Sequence, residues 1–219
     1  MRASDELIPE PLTVDFYFGV GSRYSYLAST QLPIIEREAK VSFNWIAINS
    51  MKLIAARKDN PFATLTDTGP YSWNYRRQDA EAWADFYGVP FLEPHGRLNL
   101  DPDLLSLACT AARRLGMGTA YAQELFRAVF AESFRAIGRD ICIKCAEKVG
   151  LDTTIFDEQL SNSDTRVMQD SALEEATRHG VFGVPTFRLR NRLIWGNDRL
   201  ILLRHAIRKL QSKDGCQAD

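Results

Sequence analysis

Two short segments, far apart in the chain, have residue types that can do chemistry together. Ser22-Arg23-Tyr24-Ser25 follows the β-rich run Val14-Asp15-Phe16-Tyr17-Phe18 and opens an apolar helical pattern. The first N–H groups of a helix are unpaired and its dipole is positive there, so the position favours an anion. In such a setting a free thiol pKa of about 8.5 is lowered to roughly 7 or below, which raises the thiolate fraction at neutral pH from a few per cent to about half. No cysteine stands at the position, so the sulfur must come from a ligand, and the Ser22 hydroxyl can donate a hydrogen bond to it. Taken alone, Ser22 reads as an ordinary N-cap. The distant Gly183-Val184-Pro185-Thr186-Phe187, which reads as a proline entering a strand, changes that reading.

Other reactive residue types lie elsewhere. Cys142-Ile143-Lys144-Cys145 is the pattern a search for redox centres selects, but it lies in a helical stretch with no strand leading into it. A zinc site needs a second pair of ligands, and neither Cys109 nor Cys216 comes as one. Two cysteines at i and i+3 of a helix are most simply small packing residues. The rival they carry is a thiol–disulfide oxidoreductase. His95, His179 and His205 are scattered singly and read as surface or cap residues, and Arg76-Arg77 reads as a solvated helix face.

The elements that must position these residues follow from pattern and punctuation. Thr13 to Val20 is a buried strand, Tyr24 to Glu38 a helix and Val41 to Ile48 a strand, which makes a parallel pair with a right-handed crossover. Helices are predicted over Trp73 to Tyr87, Pro102 to Leu115, Thr119 to Arg135, Cys142 to Val149, Thr153 to Leu160 and Asp164 to His179. Asp101-Pro102 is a cap followed by proline at the first helical position, and Gly88, Gly150 and Gly180 close helices. Thr186 to Arg190 and Leu193 to Trp195 form a hairpin about Asn191-Arg192, and Leu200 to Leu210 is a last amphipathic helix. Without the helical block this is the order of a thioredoxin fold. The fold class is therefore α/β, a thioredoxin-like domain (12–50 plus 165–212) interrupted by an all-helical insertion (51–164), with a flexible tail at 213–219.

In that fold Pro185 is expected cis, which leaves the Val184 N–H and C=O facing the helix start and able to pair with a short peptide in strand fashion. The alternative is a trans proline opening an edge strand. Asp198, in Asn197-Asp198-Arg199, can cap the last helix and can also accept from the ammonium of a γ-glutamyl group whose carboxylate the helix N-terminus holds; the two uses are compatible.

Composition narrows the rest. Among 219 residues, 27 basic and 28 acidic side chains leave a net charge of −1, which points away from nucleic acid and anionic membranes. No apolar run approaches the ~18 residues of a membrane span, and the first eleven residues lack the apolar core of a secretory signal. Four cysteines without scaffold spacing fit a reducing, cytoplasmic compartment.

The start of the chain, with Ser22, Tyr24-Ser25-Tyr26-Leu27-Ala28, resembles 2-hydroxychromene-2-carboxylate isomerases and kappa-class glutathione transferases. So do Gly180 to Phe187 and Trp195-Gly196-Asn197-Asp198-Arg199-Leu200. In the middle the likeness is in outline only, at Lys58-Asp59-Asn60-Pro61, Tyr75…Asp79 and Phe86 to Phe91. The resemblance implies a DsbA-like fold, glutathione as cofactor, a small aromatic substrate and a homodimer. By position it implies that Ser22 contacts the glutathione sulfur, Val184 and Pro185 its backbone, and Asn197 and Asp198 its γ-glutamyl end. Asn60 and Lys58 would face the substrate. The chain departs from the family at Arg23, where proline usually follows the serine, at Gly19-Val20-Gly21, and at Thr68 or Ser72, where transferase relatives carry a lysine. The activity implied is glutathione-assisted cis–trans isomerisation of a conjugated aromatic enone, with Lys58, Asn60 or Arg23 as donor to the enolate and Tyr71, Trp73 and Tyr75 lining a slot. A transferase, or a non-catalytic glutathione or peptide binder, is the alternative.

Overall fold

Alternation along Thr13–Phe18 sends Val14, Phe16 and Phe18 to one face of a strand and Asp15 and Tyr17 to the other. This strand (β1) is consequently central and has two faces to cover. The computed structural model describes residues 12–55, 72–93, 99–132, 134 and 136–214. After β1 come α1 (Arg23–Ala39), β2 (Ser42–Ala47), α2 (Ser50–Ala55), α3 (Trp73–Tyr87), β3 (Asn99–Leu100), α4 (Pro102–Arg114) and α5 (Gly118–Phe130). They are followed by β4 (Ala136–Ile137), α6 (Arg139–Lys148), α7 (Thr153–Ser161), α8 (Ser163–Arg178), β5 (Thr186–Leu189), β6 (Arg192–Trp195), a 3-10 turn (Asn197–Arg199) and α9 (Leu200–Asp214).

The main sheet has the order β2-β1-β5-β6. β1 and β2 are parallel, from Thr13 opposite Ser42 to Phe18 opposite Ala47, while β5 runs antiparallel to β1 and β6 antiparallel to β5. This is the thioredoxin arrangement, with the helices α3 to α7 entering between β2 and α8. The inserted stretch also carries a small parallel pair, β3 with β4.

One face of the sheet is aromatic. Phe16 stacks on Phe187 at 5.1 Å and meets Trp45 edge-on at 5.0 Å, and Phe18 lies 5.4 Å from Phe126 of α5. The inserted helices and the sheet therefore share one apolar core. Each such ring contributes roughly 1.5–3 kcal/mol of burial. The other face, with Tyr17, Ile46 and Ile48, is covered by Ala172, Leu173 and Ala176 of α8.

Several boundaries differ from expectation for local reasons. β1 ends at Phe18, because the next carbonyl, Gly19, turns to accept the Ser22 N–H at 3.0 Å. α5 ends at Phe130, short of Arg135, because the Phe130 carbonyl accepts from Leu92 N–H and Phe134 N–H reaches back to Ala128. α6 starts three residues before Cys142, after Gly138 and with Asp140 in its first turn. The hairpin turns at Arg190-Asn191, with Arg190 at φ 54. α2 was unforeseen; the Asn49 side-chain oxygen starts it by accepting from the Met51 and Lys52 N–H groups, each at 3.1 Å. Among the described residues no helix is long and apolar enough to cross a membrane.

Candidate active site

Ser22 caps α1. Its backbone is extended, its Oγ accepts from the Ser25 N–H at 3.2 Å, and its carbonyl accepts from Tyr26 N–H. Because the hydroxyl oxygen serves as acceptor in the cap, its proton stays available to a group outside the helix. α1 has no acidic residue in its first turn, so nothing on the helix itself opposes an anion there.

The Val184–Pro185 peptide bond is cis, as the fold required. It adjoins the turn before Ser22: a β-carbon on Gly19 would lie 3.4 Å from Val184 Cγ2. The Pro185 carbonyl accepts from Gly196 N–H at 2.9 Å, which ties the loop to the end of β6. Among the described residues neither Val184 backbone group has a hydrogen-bond partner, so both remain free for a strand-like ligand.

Val184, Pro185, Asn197 and Asp198 line one cavity of about 400 Å³, together with Tyr24, Tyr75, Asp79, Trp83, Trp195, Gly196 and Arg199. Ser22 itself does not line it; Tyr24, two residues into the same helix, does. A larger cavity, about 490 Å³, lies along β2 beside the α4–α5 turn and contains none of the predicted residues. Asn197 is only 4% exposed, its carbonyl accepts from Tyr87 OH at 3.3 Å, and its side-chain Nδ2 is buried without a partner among the described residues. A buried amide donor left unmatched is unfavourable unless a ligand supplies the acceptor. Asp198 is paired with Arg199, whose guanidinium also donates to the Trp195 carbonyl at 3.1 Å and lies over the Trp195 ring. Gly196, at φ +107, makes this corner possible, since a β-carbon there would fall 2.3 Å from Asp198 Oδ1.

Other predicted residues are placed differently. Arg23 is committed to Glu93 at 3.0 Å and to the Trp73 ring, so it is not a donor standing in the cavity. Trp73 packs against Arg23 and Arg77 rather than lining a slot, while Tyr75 does face the cavity. Lys58, Asn60, Thr68 and Tyr71 lie outside the described residues. Sequence reasoning missed that Tyr24 OH donates to Asp79 at 2.8 Å across the cavity wall, and that Glu93 is buried. The first partnership depends on how α1 and α3 pack, and the second on a loop residue that carries no periodic signal.

The C-x-x-C is buried in α6. Burial pushes the Cys142 thiol up to about 11 and the Cys145 thiol up to about 12. Cys142 N–H already bonds the Gly138 carbonyl within the helix, so that donor is not available to a thiolate, and burial outweighs the Tyr121 hydroxyl beside it.

A family model described as a DSBA-like thioredoxin domain matches residues 13–208. The chain is 27% identical over 205 residues to a 2-hydroxychromene-2-carboxylate isomerase of Pseudomonas putida, with 91% of this chain and 96% of that protein covered. It is 28% identical over 193 residues to a protein of the same name from Sphingobium xenophagum, with 87% and 95% covered. A solved 2-hydroxychromene-2-carboxylate isomerase superposes with a TM-score of 0.77 at 26% identity, over 94% of this chain and 100% of that one. A probable DsbA oxidoreductase from Streptomyces coelicolor does so with 0.72 at 16% identity, over 91% and 90%. With the strand order, the helical insertion and the matched span in agreement, this chain belongs to the DSBA-like thioredoxin domain family.

Proposed function

We propose that the chain is a glutathione-dependent cis–trans isomerase of a conjugated aromatic enone, acting on a compound like the substrate in its relatives' name. The observation that carries the reading is the buried, unpartnered Asn197 amide in a cavity shared with Val184 and Pro185 and walled by the first turn of α1. Asn197 suits the γ-glutamyl carboxylate, and Asp198 its ammonium, sharing its oxygens with Arg199. The free backbone groups of Val184 suit the cysteinyl peptide. Ser22 donates to the sulfur, and the end of α1 holds its charge.

Held there, glutathione would supply a thiolate nucleophile, whose reversible addition is the chemistry that lets an enone double bond rotate. The chain's own task is to stabilise that charge and to orient the ring. Tyr24, Tyr75, Trp83 and Trp195 give the cavity an aromatic wall. Lys58 and Asn60, outside the described residues, complete the proposal as donors to the developing enolate. The reading includes a cytoplasmic location, supported by three buried free thiols, and a homodimer, supported by the exposed Phe86, Ile201 and Leu202.

Calorimetric titration with glutathione tests the binding step. Wild type should bind, and Asn197→Ala should bind at least about tenfold more weakly, the loss of one buried hydrogen bond to a charged group. Absence of binding by the wild type would remove the cofactor and the mechanism with it.

A further inference from the structure

Neither a helix cap nor the family likeness accounts for the ion pair between Arg23 and Glu93. Arg23 Nη2 and Glu93 Oε1 are 3.0 Å apart, and the two side chains are 13% and 4% exposed. The contact engages one carboxylate oxygen; the other, Oε2, is buried and has no hydrogen-bond partner among the described residues. A half-satisfied buried carboxylate is unfavourable, so its place calls for a reason.

That place is where two helices begin side by side. Ser22 caps α1 and Ser72 caps α3, and the Arg23 guanidinium lies 5.8 Å from the ring centroid of Trp73, the first residue of α3. Arg77 lies 5.7 Å from the same ring. Two positive helix ends and Arg23, Arg76 and Arg77 thus gather at one point. The charges that act on Glu93 are those of Arg23, Arg77, Arg76 and Glu81, and Glu81 is held by Arg77 at 2.8 Å. Across the cavity from the start of α1 stand Asp79, bonded by Tyr24, and Asp198 paired with Arg199.

We propose that Glu93, acting through Arg23, is a positioning residue that sets how much positive charge a sulfur at the Ser22 position feels. A cation stands at the first helical position and a buried anion moderates it. Burial raises the Glu93 carboxyl above its ordinary range despite the pull of Arg23, Arg77 and Arg76, so the anion is held at a disadvantage and responds to charge nearby. A thiolate arriving at Ser22 favours the neutral form of Glu93, which frees Arg23 to face the sulfur.

This deepens the reading given above, since it concerns the same sulfur position. Its test carries its own thiol and is independent of glutathione binding. The probe is the Ser22→Cys variant, alkylated with iodoacetamide across pH, the site mapped by mass spectrometry. Adding Glu93→Gln should lower the midpoint of the rate profile by about one pH unit, about a tenfold rise in thiolate below the midpoint. Adding Arg23→Met should raise it by about the same amount. A merely structural pair would change the melting temperature and leave both midpoints in place. Either midpoint unmoved to within about 0.2 unit, or both moving in the same direction, overturns the proposal. Circular dichroism checks folding, and if one double variant does not fold, the other decides alone.

Discussion

Ser22-Arg23-Tyr24-Ser25 and Cys142-Ile143-Lys144-Cys145 have the same i, i+3 spacing, and each lies near the start of a helix. The first is a cap preceded by a central strand, with the cis Val184–Pro185 bond beside it and a cavity on its flank. The second begins at the fourth residue of α6, where backbone donors are already used, and is packed into the core. The pair with the reactive atoms is in the inert place, and the pair without them is in the activating one. Position relative to free N–H groups and solvent decides how easily a thiol ionises, whatever molecule carries it.

The sharpest way to break this comparison is to put a thiol in each place. In the Ser22→Cys variant the new thiol should be about half ionised at pH 7, whereas a thiol titrating at about 11, as Cys142 does, is ionised to roughly one part in ten thousand. Iodoacetamide labelling, mapped by mass spectrometry, should favour position 22 over Cys142 and Cys145 by at least about a thousandfold in the native chain. Comparable labelling would erase the distinction between the two regions.

A second test approaches from the other side. Cys142→Ser and Cys145→Ser each place a hydroxyl in the core and should cost about 1–3 kcal/mol of stability, seen as a lower denaturant midpoint. Isomerase activity below the transition should not change. Lost activity with the fold intact would move the chemistry to α6.

Gly196→Ala sharpens the cavity side. The β-carbon meets Asp198 at a positive φ, so the Asp198–Arg199 corner must open, at a cost of about 1–3 kcal/mol. The expected signature is a lower melting temperature together with a smaller glutathione-induced shift. A normal shift would separate Asp198 from the ligand.

Much of the sheet was legible because β1 is rich in β-branched and aromatic residues and because Asp101-Pro102, Gly88, Gly150 and Gly180 punctuate the helices. The cap at Ser22 and the loop at Val184-Pro185 were legible as motifs, and their adjacency followed from the fold the motifs implied. What stayed hidden depends on packing or on short elements. α2 has six residues and starts on a side chain of Asn49; β3 and β4 are two residues each, joined across the chain; Tyr24–Asp79 exists only because α1 packs on α3, and Arg23–Glu93 only because the loop after α3 returns to the start of α1. None of these leaves a periodic trace.

The central claim is that the working sulfur is borrowed and is held at Ser22. Its most direct measurement is the rate of isomerisation of 2-hydroxychromene-2-carboxylate by the wild type with and without added glutathione, repeated on Ser22→Ala. The account predicts turnover that requires glutathione and falls at least about a hundredfold in Ser22→Ala, the loss of one charge-stabilising donor. Ser22→Ala should lose only about 1 kcal/mol of stability through its cap. Glutathione-independent turnover, or full activity in Ser22→Ala, would contradict it.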